Sequence, residues 1–308
     1  MSSPYLACLC PSSIKHREDA STAPTTFNIS PRTSSPSIPV AMAVEVSLSR
    51  RDVNVLGMIK DPESDPSLTV YIDTTLPKDP HIRDPATYDK IAQAERDIIF
   101  SIQKLESKQS SPNPTPEPEQ TIIRGYRDSV SGFGGLIDTH PNYASARNNR
   151  AQALRRLCGD SVLAKGAPQL PQALLRNMDD IERLEMAQMI LSDLDRAILL
   201  LTPAGRFPKL SPQASRTLSQ AHTQRAAIYL MTSKLMALGS LSLPTGRREA
   251  DWTKIDFEEN ASKDFAMGGR YGNEIAKNLA VATNPTAKLC GEMVREAMKK
   301  EYGPDYGM

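Results

Sequence analysis

The sequence predicts an all-α chain: a helical solenoid of about three paired-helix repeats, closed by a C-terminal capping helix and preceded by a disordered N-terminal tail. Three observations lead there. From residue 88 onward the apolar residues recur at spacings of three and four, and no stretch alternates with period two. Proline and glycine fall mostly between these stretches, where they break helices. The later segments also repeat one pattern of small and aromatic residues, taken up below.

Residues 1–41 contain 9 Ser, 4 Thr and 6 Pro. Such a stretch buries too little apolar surface to offset the entropy of ordering, so residues 1–47 read as a disordered tail. Lys15, Arg17, Arg32 and the scarcity of acids leave a presequence reading open, although no amphipathic basic helix is visible. Met42 opens a change of composition and is an alternative start. Residues 48–87 read as a short helix from Ser49, with Val53, Val55, Leu56 and Ile59 on one side, ended by Asp61-Pro62 and followed by an extended segment. A helix over Tyr88 to Glu106 carries Ile91, Ala94, Ile98, Ile99 and Ile102 on one face. The stretch 107–120 holds Pro112, Pro114, Pro116 and Pro118 and reads as an extended linker.

Beyond it every long segment has helical spacing. Thr121 to Asp138 is weakened by four glycines, and Tyr143 to Leu157 stops at Gly159. Ile181 to Leu201 has the clearest apolar stripe, with Asp193, Asp195 and Arg196 off it. Ser211-Pro212 pairs an N-cap with proline at the first helical position and opens a helix to about Leu238. Trp252 to Met267 is expected to end at Gly268-Gly269. A short helix covers Asn273 to Ala282, and Asn284-Pro285 begins the last, whose face is Ala287, Cys290, Met293, Val294 and Ala297. The repeat domain thus spans 88–301, with 302–308 as a tail.

Composition excludes several classes. Charges of 37 basic against 36 acidic residues speak against a chain built to hold nucleic acid. No stretch reaches 18 uncharged apolar residues, so no membrane span is expected. Four scattered cysteines do not make a disulfide scaffold and fit a reducing compartment, which points to cytoplasmic or nuclear placement. The histidines His16, His81, His140 and His222 have no metal-ligand spacing, and no nucleophile elbow or phosphate loop is present. Neither metal, cofactor nor catalysis is expected. Arg147, Arg150, Arg155 and Arg156 lack interleaved aromatics, so an RNA surface is not favoured. Cys158 and Cys290 read as structural thiols, and Tyr229 and Trp252 as packing residues.

The paired helices invite a repeat search. In a 34-residue two-helix unit, the second helix carries a small residue, an aromatic four later, a small residue three later and proline five later. Ser129, Phe133 and Pro141 follow that pattern, with Leu136 at the second small position; Ala261, Phe265 and Gly268 follow it again. Ile190, Leu194 and Ala197 follow it loosely, with Pro203 one place late. Ala151 stands at the small position of a first helix ending at Gly159-Asp160, and Ala226 lies in the first helix of the third unit. Pro141 to Pro203 exceeds the period by about 28 residues, a surplus assigned to an insertion over 161–182. These are the marks of tetratricopeptide repeats. First helices of such arrays line a concave groove. Here they offer Asn148, Asn149, Gln152 and Arg155 or Arg156 in the second unit, and Gln220, Thr223, Gln224 and Ala227 in the third. These are donors for a bound peptide segment, or else a merely solvated face.

The stretches NYASARNNRAQALRRLCGD, LSDLDRAILLL, TQRAAIYLMTSK, DFEENASKDFAMGG and NLAVATNPTAKLCGEMVREAM, in that order, resemble the tetratricopeptide repeat protein thirty-six family over about residues 48–301. Arg147 stands where that family usually has an aromatic, which is expected to loosen the second unit. The resemblance implies a non-enzymatic scaffold or adaptor whose partner is a tyrosine-catabolic enzyme that it protects. The alternatives are a co-chaperone for heat-shock seventy-type chaperones or, from another class, an unrecognised enzyme or an RNA-binding solenoid. Arrays that grip chaperone carboxylates use two lysines, two asparagines and an arginine. Of these only Asn149 is present; Gln220 and Gln224 replace cations, and the first unit offers Ala94 or Glu95.

Overall fold

The computed structural model describes residues 70–109, 119–165, 173–175, 178–204, 209–244 and 246–303. The expected tail 1–47, the helix from Ser49, most of the proline linker and the residues after 303 lie outside the described residues.

Eight α-helices are described: α1 (Pro85–Gln109), α2 (Glu119–Thr139), α3 (Ala144–Cys158), α4 (Asp180–Leu201), α5 (Pro212–Leu235), α6 (Lys254–Arg270), α7 (Glu274–Thr283) and α8 (Pro285–Tyr302). A 3-10 turn, Arg248–Asp251, precedes α6. Each helix packs on the next in order, and α3 also meets α5, as stacked pairs require. The pairs are α1/α2, α3/α4 and α5/α6, and α7 covers the end of the stack against α6.

Caps fix several boundaries. Asp179 caps α4, Ser211 caps α5 with Pro212 behind it, Thr253 and Asp256 form a reciprocal capping box on α6, and Asn273 caps α7. Asn284 both ends α7 and caps α8 through its side chain. The proline linker is shorter than expected, because α1 runs to Gln109 and α2 begins at Glu119. Helix α6 does not stop at Gly268-Gly269 but runs on to Arg270. The two glycines are there for contact. A Cβ on Gly268 would lie 2.6 Å from Thr223 Oγ1 of α5, and one on Gly269 would lie 2.8 Å from Lys277 Cα of α7.

Four two-residue strands add ties that period-two reading does not show. β1 (Tyr71–Ile72) pairs in parallel with β3 (Lys209–Leu210), and β2 (Ala164–Lys165) pairs antiparallel with β4 (Ser240–Leu241). The segment before α1 is stitched to the connection between α4 and α5. Asp73 N–H donates to the Leu210 carbonyl at 2.8 Å, Ser211 Oγ to the Lys78 carbonyl at 2.9 Å, and His81 Nε2 lies 3.0 Å from the Leu200 carbonyl. The ends of the expected 161–182 insertion also pack inward, with Val162, Leu163, Ala173 and Leu174 buried.

One core cluster runs through α3–α6 and a second through α1–α3; a smaller one joins Ala226, Phe265, Ala276 and Ala280. Ser129, Phe133, Ala151, Ala197, Ala226, Ala261 and Phe265 are buried, while Pro141 lies exposed at the turn between α2 and α3. Tyr229, Trp252 and Phe257 form an edge-to-face trio with centroids 5.1–5.8 Å apart. Arg147, expected to loosen the second unit, is anchored there by polar contacts. It donates to the Pro141 carbonyl at 2.9 Å and pairs with Asp193 at 3.2 Å. Cys158 is buried, and burial pushes its thiol up to about 12; Cys290 stands exposed on α8, a helix with no buried residue.

Phe265 fills the space between α6, α5 and α7. Phe265→Ala should cost about 3–5 kcal/mol in urea unfolding, the usual loss for a buried aromatic. A change under about 1 kcal/mol would mean that the site is not packed as described.

Candidate protein-binding surface on the first helices

Helix α3 sits at the middle of the array, and 12 of its 15 residues are buried. Buried polar side chains on such a helix need partners, and they find them on α1 and α5. Glu95 of α1 takes a hydrogen bond from Asn149 Nδ2 at 2.7 Å and another from the Tyr143 hydroxyl at 2.5 Å. Asn148 Nδ2 donates to Gln220 Oε1 of α5 at 3.2 Å and weakly to Asn149 Oδ1 at 3.4 Å. Gln224 Nε2 donates to Asn148 Oδ1 at 2.8 Å. Glu95, Asn149, Asn148 and Gln224 thus form a polar ladder across the first helices of all three pairs. Gln224 Oε1 is buried without a hydrogen-bond partner.

Five of the sequence-predicted groove residues, Asn148, Asn149, Gln152, Arg155 and Gln224, are at most 6% exposed. Gln220 is half-buried. The expectation of free donors on a solvated face therefore does not describe this structure. Arg155 holds Asp160 with two bonds, at 2.7 and 2.9 Å, and reaches Gln152 Oε1 at 3.5 Å. The reason is the neighbourhood of α3: with α1 and α5 close on either side, these side chains bond to each other. The other arginines of α3 are also engaged, Arg150 with Asp193 at 2.6 Å and Arg156 with Glu106 at 3.7 Å.

The sequence reading missed a second polar group, between α4, α5 and α6. Arg225 makes two bonds of 2.7 Å to Asp264 and one of 2.7 Å to Asp195. His222 Nδ1 lies 2.8 Å from Asp264, and Arg247 joins Asp195 at 2.8 Å to Glu249 at 2.7 Å. The Tyr229 hydroxyl donates to Glu249 at 2.6 Å. Burial opposes the charge on Glu249, yet the bonds from Arg247 and Tyr229 hold its carboxyl at about 2. Burial likewise opposes the charge on Asp264, and Arg225 and His222 more than offset it. The available signal was position: Arg225 and Asp264 each adjoin a core residue, Ala226 and Phe265.

The stacked pairs and the polar ladder along their first helices define an all-α helical-repeat protein. Over 257 residues the chain is 35% identical to the L-tyrosine degradation gene cluster protein hmgX of Aspergillus fumigatus, covering 83% of this chain and 93% of that one. It belongs to the family of that protein. It is also 30% identical over 177 residues to tetratricopeptide repeat protein 36 of Xenopus tropicalis, 58% of each chain, and 27% identical over 179 residues to that of Mus musculus, 58% of this chain and 64% of that one. No family model matches the chain. No solved structure matches it either. No helix among the described residues is long and apolar enough to cross a membrane.

Two expectations follow from the buried carboxylates. Burial pushes the Glu95 carboxyl above its ordinary 4.5, against the hydrogen bonds from Tyr143, Ser145 and Asn149. A carboxyl raised in the folded state contributes stability that is complete below the unfolded value and is lost as pH rises through the folded value. Wild type should therefore lose stability relative to Glu95→Gln as the pH rises above the ordinary carboxyl value, read from melting curves of both. A constant difference would show that the carboxyl is not desolvated. Asp264→Asn, which leaves Arg225 buried with half its partners, should cost about 3–5 kcal/mol in urea unfolding; a loss below about 1 kcal/mol would show the ion group to be dispensable.

Proposed function

We propose that the chain is a non-enzymatic scaffold of tetratricopeptide type that binds and stabilises an enzyme of L-tyrosine degradation. The observation that carries this reading is its likeness to hmgX, which aligns along 93% of that protein. The fold supports it. Stacked helix pairs present one long face, made by α1, α3 and α5, and the amide groups beneath it are fixed in place by mutual hydrogen bonds. A rigid polar face suits a bound segment of protein, because little side-chain entropy is left to lose on binding. Of the residues assigned to the binding face, half-buried Gln220 reaches its surface, while Asn148, Asn149, Gln152, Arg155 and Gln224 lie just beneath and fix its shape.

The alternative, a co-chaperone that grips a chaperone's terminal carboxylate, draws less support. At the centre of the face stands Glu95, bonded to Asn149. A second acid group set against Glu95 finds no cation to pair with, and no lysine occupies the matching place.

The test is affinity capture from an extract of the source organism supplied with L-tyrosine, read by mass spectrometry. An enzyme of tyrosine degradation should be enriched, and its activity should survive heating longer with the chain present. Chaperones alone would favour the alternative, and ribonucleoprotein would overturn both. Asn149→Ala with Arg155→Ala should weaken capture at least tenfold, about 1.4 kcal/mol. Because both side chains are buried, this pair also lowers stability, so Phe265→Ala serves as the control: destabilised, but away from the face. If the control loses capture equally, the face is not the site.

A further inference from the structure

Among the described residues thirteen large hydrophobic side chains are prominently exposed, and six of them, Ile275, Val281, Leu289, Met293, Val294 and Tyr302, fall in α7 and α8. Helix α8 has no buried residue, although it is 18 residues long and carries a regular apolar stripe. Leu289, Met293 and Val294 are 57%, 61% and 59% exposed. Repeat arrays usually end on a polar outer face, since the last unit has no neighbour to cover it. Here α7 covers the end of the stack, and α8 leaves the body through the single residue Asn284, backed by Pro285 and held near its start by Lys288 against Glu258 at 3.0 Å. An exposed helix that is apolar on one side is the kind of surface at which proteins associate.

We propose that its partner is α8 of a second copy of this chain, paired antiparallel about a two-fold axis. The stripe consists of Leu289, Cys290, Met293, Val294, Ala297 and Met298. Reversed about the midpoint between Met293 and Val294, this set maps onto itself. Leu289 then faces Met298, a long side chain against a long one; Cys290 faces Ala297, small against small; and Met293 faces Val294. A two-fold interface demands such self-complementarity, because each residue must meet its mate's counterpart in both directions. The small pair allows the two axes to approach closely, while the long side chains close the flanks.

Charge selects the direction. In the antiparallel arrangement Lys300 faces Ala287 and Glu301 faces Thr286, so no like charges meet near the seam. A parallel pair would set Lys300 against Lys300 and Glu301 against Glu301 of the mate. Lys288 and Lys299, which oppose each other in the antiparallel pair, lie on the far side of the helix, roughly 160–180° from the stripe centre at about 100° per residue. A helix of this length spans about 27 Å, which places the interface at the small end for stable association and makes the dimer reversible with concentration.

Sedimentation of the full chain from about 1 to about 100 µM should show monomer passing to dimer. Val294→Arg should shift that midpoint at least tenfold upward, with the helical spectrum and melting temperature unchanged, because Val294 is exposed. In Ala297→Cys, oxidation by glutathione disulfide should give an interchain bond that peptide mapping places between positions 290 and 297. A chain that stays monomeric throughout, a dimer indifferent to Val294→Arg, or a bond joining 290 to 290 would each overturn the proposal. So would a monomer whose α8 binds anionic vesicles instead, the mark of a lipid-facing helix.

Discussion

The structure depends on the enclosure of α3. A helix that carries Asn148, Asn149, Gln152 and Arg155 belongs, by composition, on a surface. This one is wrapped by α1, α2, α4 and α5, so each of those groups must be bonded or cost the free energy of an unmet buried polar group. The need is met by side chains that only the repeat geometry brings near: Glu95 from the pair before, Gln220 and Gln224 from the pair after. The ladder therefore reports on register. A slip of α1 or α5 by one turn would leave Asn148 and Asn149 unpaired, a penalty that apolar packing alone would not impose.

The ion group around Arg225 plays the corresponding part on the side of α4 and α6. Buried ion pairs contribute little against well-packed apolar side chains, but they are costly to break. Asp195 of α4 takes both Arg225 and Arg247, Asp264 of α6 takes Arg225, and Glu249 takes Arg247, so the two arginines tie α4, α5, α6 and the turn before it into one arrangement. Family membership with hmgX and the likeness to tetratricopeptide repeat protein 36 fit a chain whose stability lies in its inter-helix contacts.

The helices and most of their boundaries were legible in the sequence, because periodicity and the caps Ser211, Asn273 and Asn284 are local signals. The end of α6 was misread for a physical reason. Gly268-Gly269 looks the same in sequence whether it stops a helix or lets Lys277 of the next one come close, and only the neighbour decides. That Asn148, Asn149, Gln152 and Arg155 neighbour one another on α3 was readable from spacing, but their burial was not, since it is set by helices some 50 to 75 residues away in the chain. The carboxylates Asp193, Asp264 and Glu249 left no pattern in a one-dimensional reading. The self-matching stripe of α8 was visible as an apolar face; that it stands exposed was not.

The tie between β1 and β3 changes how such an array comes apart. A simple solenoid frays, its end units melting first, because each touches only its neighbours. Here the stretch just before the first pair is bonded to the connection entering the third, across sequence separations of 119 to 136 residues. Peeling the first pair away therefore also breaks these bonds. That clasp favours concerted opening over gradual melting. Closing so long a loop also slows folding relative to an unclasped array of the same helices.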